Sequence, residues 1–390
     1  MSTAAIAANG LLIMVAIPSL TLVAEILAGL RSLSDESARP HPATIAVLVP
    51  AHNEASGIAA TLADLQAILP ADSRILVVAD NCTDDTAAIA AAQRGVEVAE
   101  RTDCGNIGKG FALAFGRAYL MHNPAELVLV IDADCRLSAG SAERLAERCL
   151  STRRPAQAVN LLVPDHAAPA SVQISNFAFL VKNLVRARGL QRLSGAVNLT
   201  GTGMMFPWPV FMQASLASSA LAEDLDLGLT LMRLGYGASL VEQARVASAA
   251  AAPGDMLGQR QRWEGGYMAV AARRALPMFV SGIFAGSPRR VMHSLDLMVP
   301  PLALLGAALT AAVLLQIVLL AFTGILWPLA LTLLLFAMVA GAVVAAWLHE
   351  GKVMLSRRAI AMIPRYIWNK VPLYISLLRR ENRIWRRTQR

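Results

Sequence analysis

The stretch ELVLVIDADCRL at residues 126–137 decides the fold of the middle of this chain. Its apolar run 127–131 is rich in leucine and valine, which predicts a strand buried inside a parallel sheet. Two carboxylates, Asp132 and Asp134, follow this run directly. Because buried carboxylates need a cation or hydrogen-bond donors, we expect the pair at the carboxyl end of the strand, where open α/β sheets bind ligands. An acidic surface turn explains the pair, taken alone, equally well.

Strand-like and helix-like segments alternate between residues 44 and 150. The segments with strand character are TIAVLVP, RILVVAD, VEVAE and ELVLVIDAD. This alternation predicts an α/β domain whose parallel sheet is covered by helices on both faces. Glu54 follows the first strand and Asp80 ends the second, so both are expected to share one crevice with Asp132 and Asp134. The sequence shows no G-x-G-x-x-G or Walker lysine motif, which leaves a dinucleotide or P-loop site unsupported.

The chain of 390 residues is more apolar than an ordinary soluble domain, with 56% hydrophobic residues and a mean hydropathy of +0.51. The excess lies in three runs at 4–30, 297–322 and 325–348. Each run exceeds the ~20 residues that are needed to span a bilayer. The first run lacks the basic start and the small-residue cleavage site of a signal peptide, so we interpret it as a membrane anchor.

Charge is distributed unevenly along the chain and predicts its orientation. Residues 256–390 carry 17 Lys and Arg against 4 Asp and Glu, whereas residues 1–255 carry 18 against 23. By the positive-inside rule, the basic flanks of the apolar runs place the N-terminus outside and the middle domain and tail in the cytoplasm. This clustering favours anionic lipid, and not nucleic acid, as the partner of the basic residues. The four cysteines show no paired spacing and are expected to be reduced thiols.

Several short motifs, taken in their order, resemble those of the family 2 glycosyltransferases. They are VPAHNE, VVADNCTDDT, GKGFAL, VIDADC, GTG at 201–203, AEDLDLGLTL around Asp224, and QRQRW at 259–263. Each motif is weak alone, but their order and spacing over residues 44–270 make the resemblance specific. The subgroup resembled is the membrane-bound one, which contains cellulose, hyaluronan and poly-N-acetylglucosamine synthases and ceramide glucosyltransferases. The sequence departs from the family at Ala79, where many relatives have a further aspartate.

The resemblance implies the α/β fold class called GT-A, with a Rossmann-like parallel or mixed sheet, for the cytoplasmic domain. We expect an N-terminal membrane helix at 1–30, the GT-A domain at 44–270, an interfacial segment at 271–296, two membrane helices at 297–348 and a basic cytoplasmic interfacial tail at 349–390. The segment 173–193 mixes apolar and basic residues and is expected to lie on the membrane surface as a basic helix. Pro364 and Pro372 are expected to break the tail into short pieces. For the tail, contact with the lipid surface is favoured over an RNA-binding arm.

The resemblance also implies a site for a nucleotide sugar and a divalent cation. Glu54 and Asp80 are expected to contact the base and ribose, although Asp80 could instead cap the following helix. Asp132 and Asp134 are expected to hold Mg²⁺ or Mn²⁺, because both ions prefer oxygen ligands and offset the charge of a diphosphate leaving group. In the family the second acid usually meets the metal, while the first lies nearer the sugar and ribose. Lys109 could neutralise phosphate charge, or could be an exposed residue at a helix start.

By the same resemblance, Asp224 is the expected catalytic base. It would take the proton from the acceptor hydroxyl in a single displacement that inverts the anomeric configuration. The alternative is an acid that stabilises the start of the helix EDLDLGLTLMRLG through the helix dipole. Expected acceptor contacts are Glu223 and the narrow turn of Gly201, Thr202 and Gly203.

The Q-x-x-R-W motif supplies three further candidates. Gln259, Arg262 and Trp263 are spaced to share one face of a helix. Gln259 and Arg262 are expected to contact the donor, since arginine binds diphosphate oxygens in a bidentate manner, and Trp263 offers a face for an acceptor sugar. The alternative is an anchor at the membrane interface, where arginine and tryptophan are common.

Together these features predict an inverting, metal-dependent hexosyltransferase of a bacterial inner membrane. Its donor is expected to be a UDP-linked sugar, and its acceptor a polyprenyl diphosphate saccharide or a glycolipid in exopolysaccharide or glycolipid biosynthesis. The alternatives are a processive polysaccharide synthase and a catalytically inactive, nucleotide-sugar-binding assembly subunit. Three helices are too few to enclose a polymer channel within one chain, which favours a single addition. A transporter is disfavoured, because the sequence suggests no charge pair within the membrane runs.

Overall fold

The computed structural model describes residues 3–34, 43–248 and 253–378, and the chain forms two compact units. The first comprises Met1–Arg31, Pro164–Ser194 and Ala250–Arg390, and we call it the helical unit. The second comprises Ser32–Val163 and Gly195–Ala249, and we call it the sheet unit. Each unit is therefore assembled from segments that are distant in the sequence.

The strands all lie in the sheet unit. They are β1 Ile45–Ala51, β2 Arg74–Asp80, β3 Val96–Arg101, β4 Leu127–Val130, β5 Cys135–Leu137, β6 Ala156–Leu162, β7 Met204–Pro207 and β8 Ser239–Ser248. The α-helices are α1 Thr3–Gly29, α2 Ile58–Ile68, α3 Thr86–Ala91, α4 Lys109–Leu120, α5 Ser141–Thr152, α6 Ala170–Leu180, α7 Ala187–Ser194, α8 Trp208–Gln213, α9 Glu223–Arg233, α10 Pro253–Phe284, α11 Pro288–Met298, α12 Leu302–Thr323, α13 Trp327–His349, α14 Arg357–Ile360 and α15 Ile363–Leu378. A π-helical turn, Val181–Arg186, joins α6 to α7, and a 3₁₀ turn, Gly351–Val353, follows α13.

The sheet unit contains a mixed sheet of eight strands in the order β3-β2-β1-β4-β7-β6-β8-β5. The strands β3, β2, β1 and β4 are parallel, whereas β7 runs antiparallel to both of its neighbours. Successive residues of β1, such as Val47, Leu48 and Val49, are fully buried, because helices cover both faces of the parallel half. The predicted α/β fold with a parallel or mixed sheet is confirmed.

Three helices of the helical unit, α1, α12 and α13, are long and apolar enough to cross a membrane. They correspond to the three apolar runs in the sequence. The second begins at Leu302 and not at the start of its run, because Pro300 and Pro301 separate it from α11. Proline lacks the amide hydrogen that a continuing helix needs, which explains the break.

The segment from α6 to α7 differs from the expected basic surface helix. Lys182 is exposed, but Arg186 and Arg188 are buried. Arg186 Nε lies 2.7 Å from Glu25 Oε2 of α1, and Arg186 Nη2 lies 2.6 Å from Asp296 Oδ1 of α11. Arg188 Nη1 lies 2.7 Å from Glu350 Oε1. The expectation of a basic surface is therefore wrong at both arginines, because carboxylates that are distant in sequence pair with them inside the unit.

The pair of Glu25 and Arg186 joins the first apolar run to the segment between α6 and α7. Glu25 lies within α1, the first of the three long apolar helices, and its side chain is fully buried. A buried carboxylate persists in apolar surroundings only with compensating partners, and Arg186 provides the compensating charge.

The tail also differs from its prediction. Helix α15 continues through Pro372 for several residues and is not broken there. Residues on both sides of this proline are buried: Lys370 forms an ion pair with Glu264 of α10, and Tyr374 is 3% exposed. We attribute the continuity of α15 to this packing, which offsets the missing hydrogen bond at Pro372. Residues 379–390 of the predicted tail lie outside the described residues.

Candidate active site

The carboxyl ends of β2, β1 and β4 carry most of the acids that the sequence singles out. These three parallel strands are neighbours in the sheet, so their carboxyl ends lie at one edge. Asp80 is the last residue of β2, Glu54 lies three residues after β1, and Asp132 lies two residues after β4. This edge is the position at which open α/β sheets bind ligands.

Asp80 is buried and ion-paired with Arg101, the last residue of β3. Arg101 Nη1 lies 2.5 Å from Asp80 Oδ1, and Arg101 Nη2 lies 2.9 Å from Asp103 Oδ2. The guanidinium also lies 5.6 Å from the ring centroid of Phe111. Asp80 is therefore oriented by an arginine from the next strand, and not by the backbone of the following helix α3. Arg101 was not predicted as a site residue, although it directly follows the strand-like segment VEVAE, whose carboxyl end lies at the same edge of the sheet.

Two asparagines shape the loops beside Asp80. Asn53 and Asn81 have φ values of 55° and 50°, in the left-handed region that asparagine tolerates better than most residues. The side-chain oxygen of Asn53 accepts a hydrogen bond of 2.6 Å from the amide of Thr83. The amide of Glu54 donates a 2.7 Å hydrogen bond to the hydroxyl of Thr86. The loop after β1 is thereby fastened to the loop after β2, which positions Glu54 near the end of β2.

Lys109, the first residue of α4, contacts the acid that follows β4. Its ammonium donates hydrogen bonds to Asp132 Oδ1 and, at 2.7 Å, to the carbonyl oxygen of Gly201. Burial of the ammonium lowers its pKa, but Asp132, Glu223 and Asp224 together raise the pKa of Lys109 above its usual value. Lys109 therefore stays protonated and is not merely an exposed residue at a helix start.

Glu223 and Asp224 begin helix α9 and lie close to Lys109. A Cβ atom on Gly201 would lie 3.1 Å from Asp224 Oδ2 and 3.5 Å from Lys109 Nζ. Lys109, Glu223 and Asp224 also line one cavity together with Leu216. Burial and the neighbouring carboxylate of Asp224 raise the pKa of Glu223 to about 7. Glu223 and Asp224 also lie in the first turn of α9, where negative charge interacts favourably with the helix dipole. The two acids can therefore stabilise the start of the helix and belong to the candidate site at the same time.

The turn of Gly201, Thr202 and Gly203 packs tightly against the end of β4. Gly201 and Gly203 have φ values of 86° and 65°, which favour glycine. The amide of Gly203 donates a 2.9 Å hydrogen bond to the carbonyl of Val130, and the amide of Asp132 donates one of 3.2 Å to the hydroxyl of Thr202. This turn therefore holds both the backbone of Asp132 and the carbonyl that Lys109 contacts.

Asp132 and Asp134 fit a divalent cation by the chemistry of their donor atoms. One ligand atom from each of Asp132, Asp134 and Cys135 lies within 4.8 Å of the others. The two carboxylates are half-buried and offer the hard oxygen ligands that Mg²⁺ and Mn²⁺ prefer. Burial raises the pKa of the Cys135 thiol to about 12, so the sulfur stays protonated and is a poor ligand. The fit therefore rests on Asp132 and Asp134.

The Q-x-x-R-W residues belong to the helical unit, on α10. The ring of Trp263 packs 5.4 Å from that of Phe179, and Arg260 lies 5.2 Å from the Trp263 ring centroid. Arg262 is half-buried. The side chain of Gln259 lies outside the part of the chain that the structure describes. Their expected contacts with donor and acceptor therefore stay predictions.

Two family models match the sequence. The model described as "Glycosyl transferase family group 2" matches residues 127–344, more than half of the chain, and that described as "Glycosyl transferase family 2" matches residues 46–162. No curated protein matches the sequence significantly. Membership of the family thus rests on both the sheet unit and the helices that follow it.

Solved structures show a similar fold. The mannosyltransferase PcManGT from Pyrobaculum calidifontis, in complex with GDP-Man and Mn²⁺, has a TM-score of 0.54 at 16% identity, over 95% of this chain and 100% of that chain. Glucosyl-3-phosphoglycerate synthase from Mycobacterium tuberculosis, in complex with Mn²⁺, UDP and phosphoglyceric acid, has a TM-score of 0.36 at 19% identity, over 57% of this chain and 76% of that chain. At these identities the first likeness shows a shared fold, GT-A. The chain belongs to the family 2 glycosyltransferases, as an enzyme with a GT-A domain and three helices that are long and apolar enough to span a membrane.

Proposed function

We propose that the chain is an inverting, metal-dependent glycosyltransferase that transfers a sugar from a nucleotide sugar to a lipid-linked saccharide. The observation that carries this proposal is the cluster of Lys109, Asp132, Gly201 and Asp224 at the carboxyl edge of the sheet. Transfer requires a bound nucleotide, a neutralised diphosphate leaving group and a base for the acceptor hydroxyl. The sheet unit has groups suited to each of these tasks.

The nucleotide is proposed to bind at Glu54 and Asp80. Both follow neighbouring parallel strands, and both carboxylates can accept hydrogen bonds from a base or ribose edge. The ion pair with Arg101 fixes Asp80 in place, and its carboxylate oxygens can serve as hydrogen-bond acceptors. A donor with a UDP group is expected.

The diphosphate is proposed to be neutralised by a divalent cation and by Lys109. Asp132 and Asp134 would hold Mg²⁺ or Mn²⁺, and the ion would stabilise the negative charge that develops on the leaving diphosphate. Lys109 is protonated and adjacent to Asp132, so it can add a second positive charge at the same place.

Asp224 is proposed as the general base. It takes the proton from an acceptor hydroxyl as the hydroxyl oxygen attacks the anomeric carbon. Burial and the neighbouring carboxylate of Asp224 raise the pKa of Glu223, so a proton on Glu223 would relieve the repulsion between the two acids. Glycine at 201 leaves space beside Asp224, because a Cβ atom there would lie 3.1 Å from Asp224 Oδ2. The other proposed acceptor contacts are Thr202, Gly203, Glu223 and Trp263.

A membrane-embedded acceptor is supported by the helical unit. Its three long apolar helices suit an anchor that holds the enzyme at the bilayer, with the sheet unit proposed on the cytoplasmic side of a bacterial inner membrane. Helix α15 exposes 76% of Trp368 and also exposes Arg365, three residues before it, which suits contact with a lipid surface. This support replaces the basic face expected of segment 173–193, since Arg186 and Arg188 are buried.

A single addition is proposed over processive synthesis. Within the described residues, three helices have the length and apolarity to span a bilayer. A channel for a polar polymer must be enclosed by protein on all sides, and three helices are too few to enclose it. The product is accordingly proposed to be a glycolipid intermediate, such as a polyprenyl diphosphate saccharide in exopolysaccharide assembly. A processive synthase would need an oligomer or a partner channel.

A donor panel tests the proposal. The purified chain is reconstituted in a total bacterial lipid extract with UDP-glucose, UDP-galactose, UDP-N-acetylglucosamine or GDP-mannose, in the presence of Mg²⁺ or Mn²⁺. We expect release of the nucleoside diphosphate from one donor, and loss of this release on chelation. Nucleotide binding without release from any donor would favour the inactive assembly subunit, and release that is unaffected by thorough metal removal would contradict the metal-dependent mechanism.

A further inference from the structure

Lys109 makes a contact that conflicts with cation binding. Its ammonium is bonded to Asp132 Oδ1, and Asp132 is one of the two carboxylates that fit a divalent ion. The same ammonium donates to the carbonyl oxygen of Gly201, so it is held by two oxygens from separate segments. The acid pair after β4 is therefore already partly neutralised by a positive charge from the chain itself.

An ammonium and a divalent ion repel each other strongly when they share one carboxylate. The repulsion between a unit positive charge and a divalent ion is twice that between two unit charges at the same separation, and surroundings that are partly buried screen it less than bulk water does. Lys109 and Asp132 keep 22% and 33% of their side chains exposed, so the ammonium has room to move toward another anion. Binding of the ion through Asp132 Oδ1 therefore requires that Lys109 first leave this oxygen.

We propose that Lys109 is a positioning residue that occupies the place of the divalent cation at Asp132 and gives it up when a diphosphate arrives. This inference rests on the proposed function. The diphosphate offers Lys109 a new anionic partner, which frees Asp132 for the ion, so Lys109 couples binding of the ion to binding of the nucleotide. In the absence of nucleotide, Lys109 stays bonded to Asp132 and weakens binding of the divalent ion to Asp132 and Asp134. Removal of the lysine charge should therefore strengthen binding of the free ion, although Lys109 itself is part of the site.

The experiment measures Mn²⁺ affinity without nucleotide, by the loss of the free-ion electron paramagnetic resonance signal, for the wild type and Lys109→Met. We expect Mn²⁺ to bind Lys109→Met at least about tenfold more tightly, the size of one charge-assisted hydrogen bond that the ion no longer has to break. On addition of UDP, wild-type Mn²⁺ affinity should rise by a larger factor than that of Lys109→Met.

Two further variants separate this effect from general electrostatics and from misfolding. Arg136→Met removes an exposed positive charge that is close in sequence to Asp134 and paired with Asp64, and it should change Mn²⁺ affinity by less than about twofold. Lys109→Arg keeps the charge and should keep the weak binding of the wild type, with thermal melting recorded for all variants.

Equal Mn²⁺ affinity of wild type and Lys109→Met would overturn the inference, as would weaker binding by Lys109→Met or failure of both proteins to bind Mn²⁺. If Lys109→Met fails to fold, Lys109→Gln takes its place under the same criterion. The proposed function is decided separately by nucleoside diphosphate release from the donor panel. An enzyme that releases nucleotide but shows no effect of Lys109 on free Mn²⁺ would refute only the inference.

Discussion

The ion pairs of Arg186 in the helical unit and the ion pair of Lys109 in the sheet unit differ in burial. In the helical unit, Arg186 is 7% exposed and contacts Glu25 and Asp296, which are 0% and 7% exposed. In the sheet unit, Lys109 and Asp132 are 22% and 33% exposed and lie beside two further acids of α9. The first set is closed to solvent, whereas the second is open to an incoming charged ligand.

This difference indicates two distinct purposes for charge in one chain. A buried charge that loses its partner cannot be solvated, so the pairs of Arg186 are expected to determine whether the helical unit folds. A half-exposed pair has water as an alternative partner, so its loss costs little stability. The charges around Lys109 are therefore expected to determine catalysis and ligand binding.

Substitution of Arg186 should produce the largest loss of stability. Arg186→Met leaves Glu25 and Asp296 buried without their shared counter-charge, which is expected to cost about 3–5 kcal/mol of unfolding free energy. The measurement is the unfolding midpoint of the detergent-solubilised protein, followed by circular dichroism. The matched control is Arg136→Met, whose pair with Asp64 is exposed and is expected to contribute less than about 1 kcal/mol. Equal midpoints for the two variants would show that burial does not distinguish these ion pairs.

Substitution of Asp224 should abolish activity with little effect on stability. Asp224→Asn keeps the shape of the side chain but removes the base, so transfer should fall by about 10²-fold or more. Nucleotide affinity should change little, because the base acts only on the acceptor. Transfer rates and binding of UDP are measured on the same preparation, with melting as the check on folding. A variant that retains more than about a tenth of the wild-type rate would exclude Asp224 as the general base.

Glu223 gives the smallest effect, a pH dependence of stability. Its pKa in the folded protein is raised to about 7, so between its unfolded value of about 4.3 and pH 7 the folded state binds more protons than the unfolded state. The stability that this group contributes is therefore lost as pH rises through that window. Glu223→Gln should remove this part of the slope, by less than one proton, in unfolding midpoints recorded from pH 5 to 8. An unchanged slope in the variant would show that Glu223 is not the group responsible.

The alternating apolar segments were sufficient to predict the parallel half of the sheet and the three long apolar helices. Both are determined by local patterns, since nearly all residues of strands β1, β2 and β4 are buried and α1, α12 and α13 consist almost wholly of apolar residues. The strand β7 was not anticipated as a member between β4 and β6. It has four residues, and its antiparallel pairing depends on the return of the chain after the helical segment 170–194.

The acids of the candidate site were recognisable from motifs, but their charge partners were not. Arg101 pairs with Asp80 across neighbouring strands, and Lys109 pairs with Asp132 from a different helix. The two residues of each pair are 21 and 23 positions apart in the sequence. Hydrophobic periodicity predicts helices and strands, but it does not predict which charged side chains pair between them. For the same reason Arg186 and Arg188 were mistaken for surface residues, because their partners in α1, in α11 and at Glu350 are more than a hundred positions away.

The central claim is that this chain transfers one sugar from a nucleotide sugar to a lipid-linked acceptor through the acid cluster of the sheet unit. It is tested most directly by size analysis of the product formed from a radiolabelled donor in lipid, by the wild type and by Asp224→Asn. We expect one organic-extractable glycolipid with a single added sugar from the wild type, and less than about a tenth as much of it from Asp224→Asn in the same time. A ladder or a high-mass polymer from the wild type, or a comparable amount of glycolipid from Asp224→Asn, would refute this function.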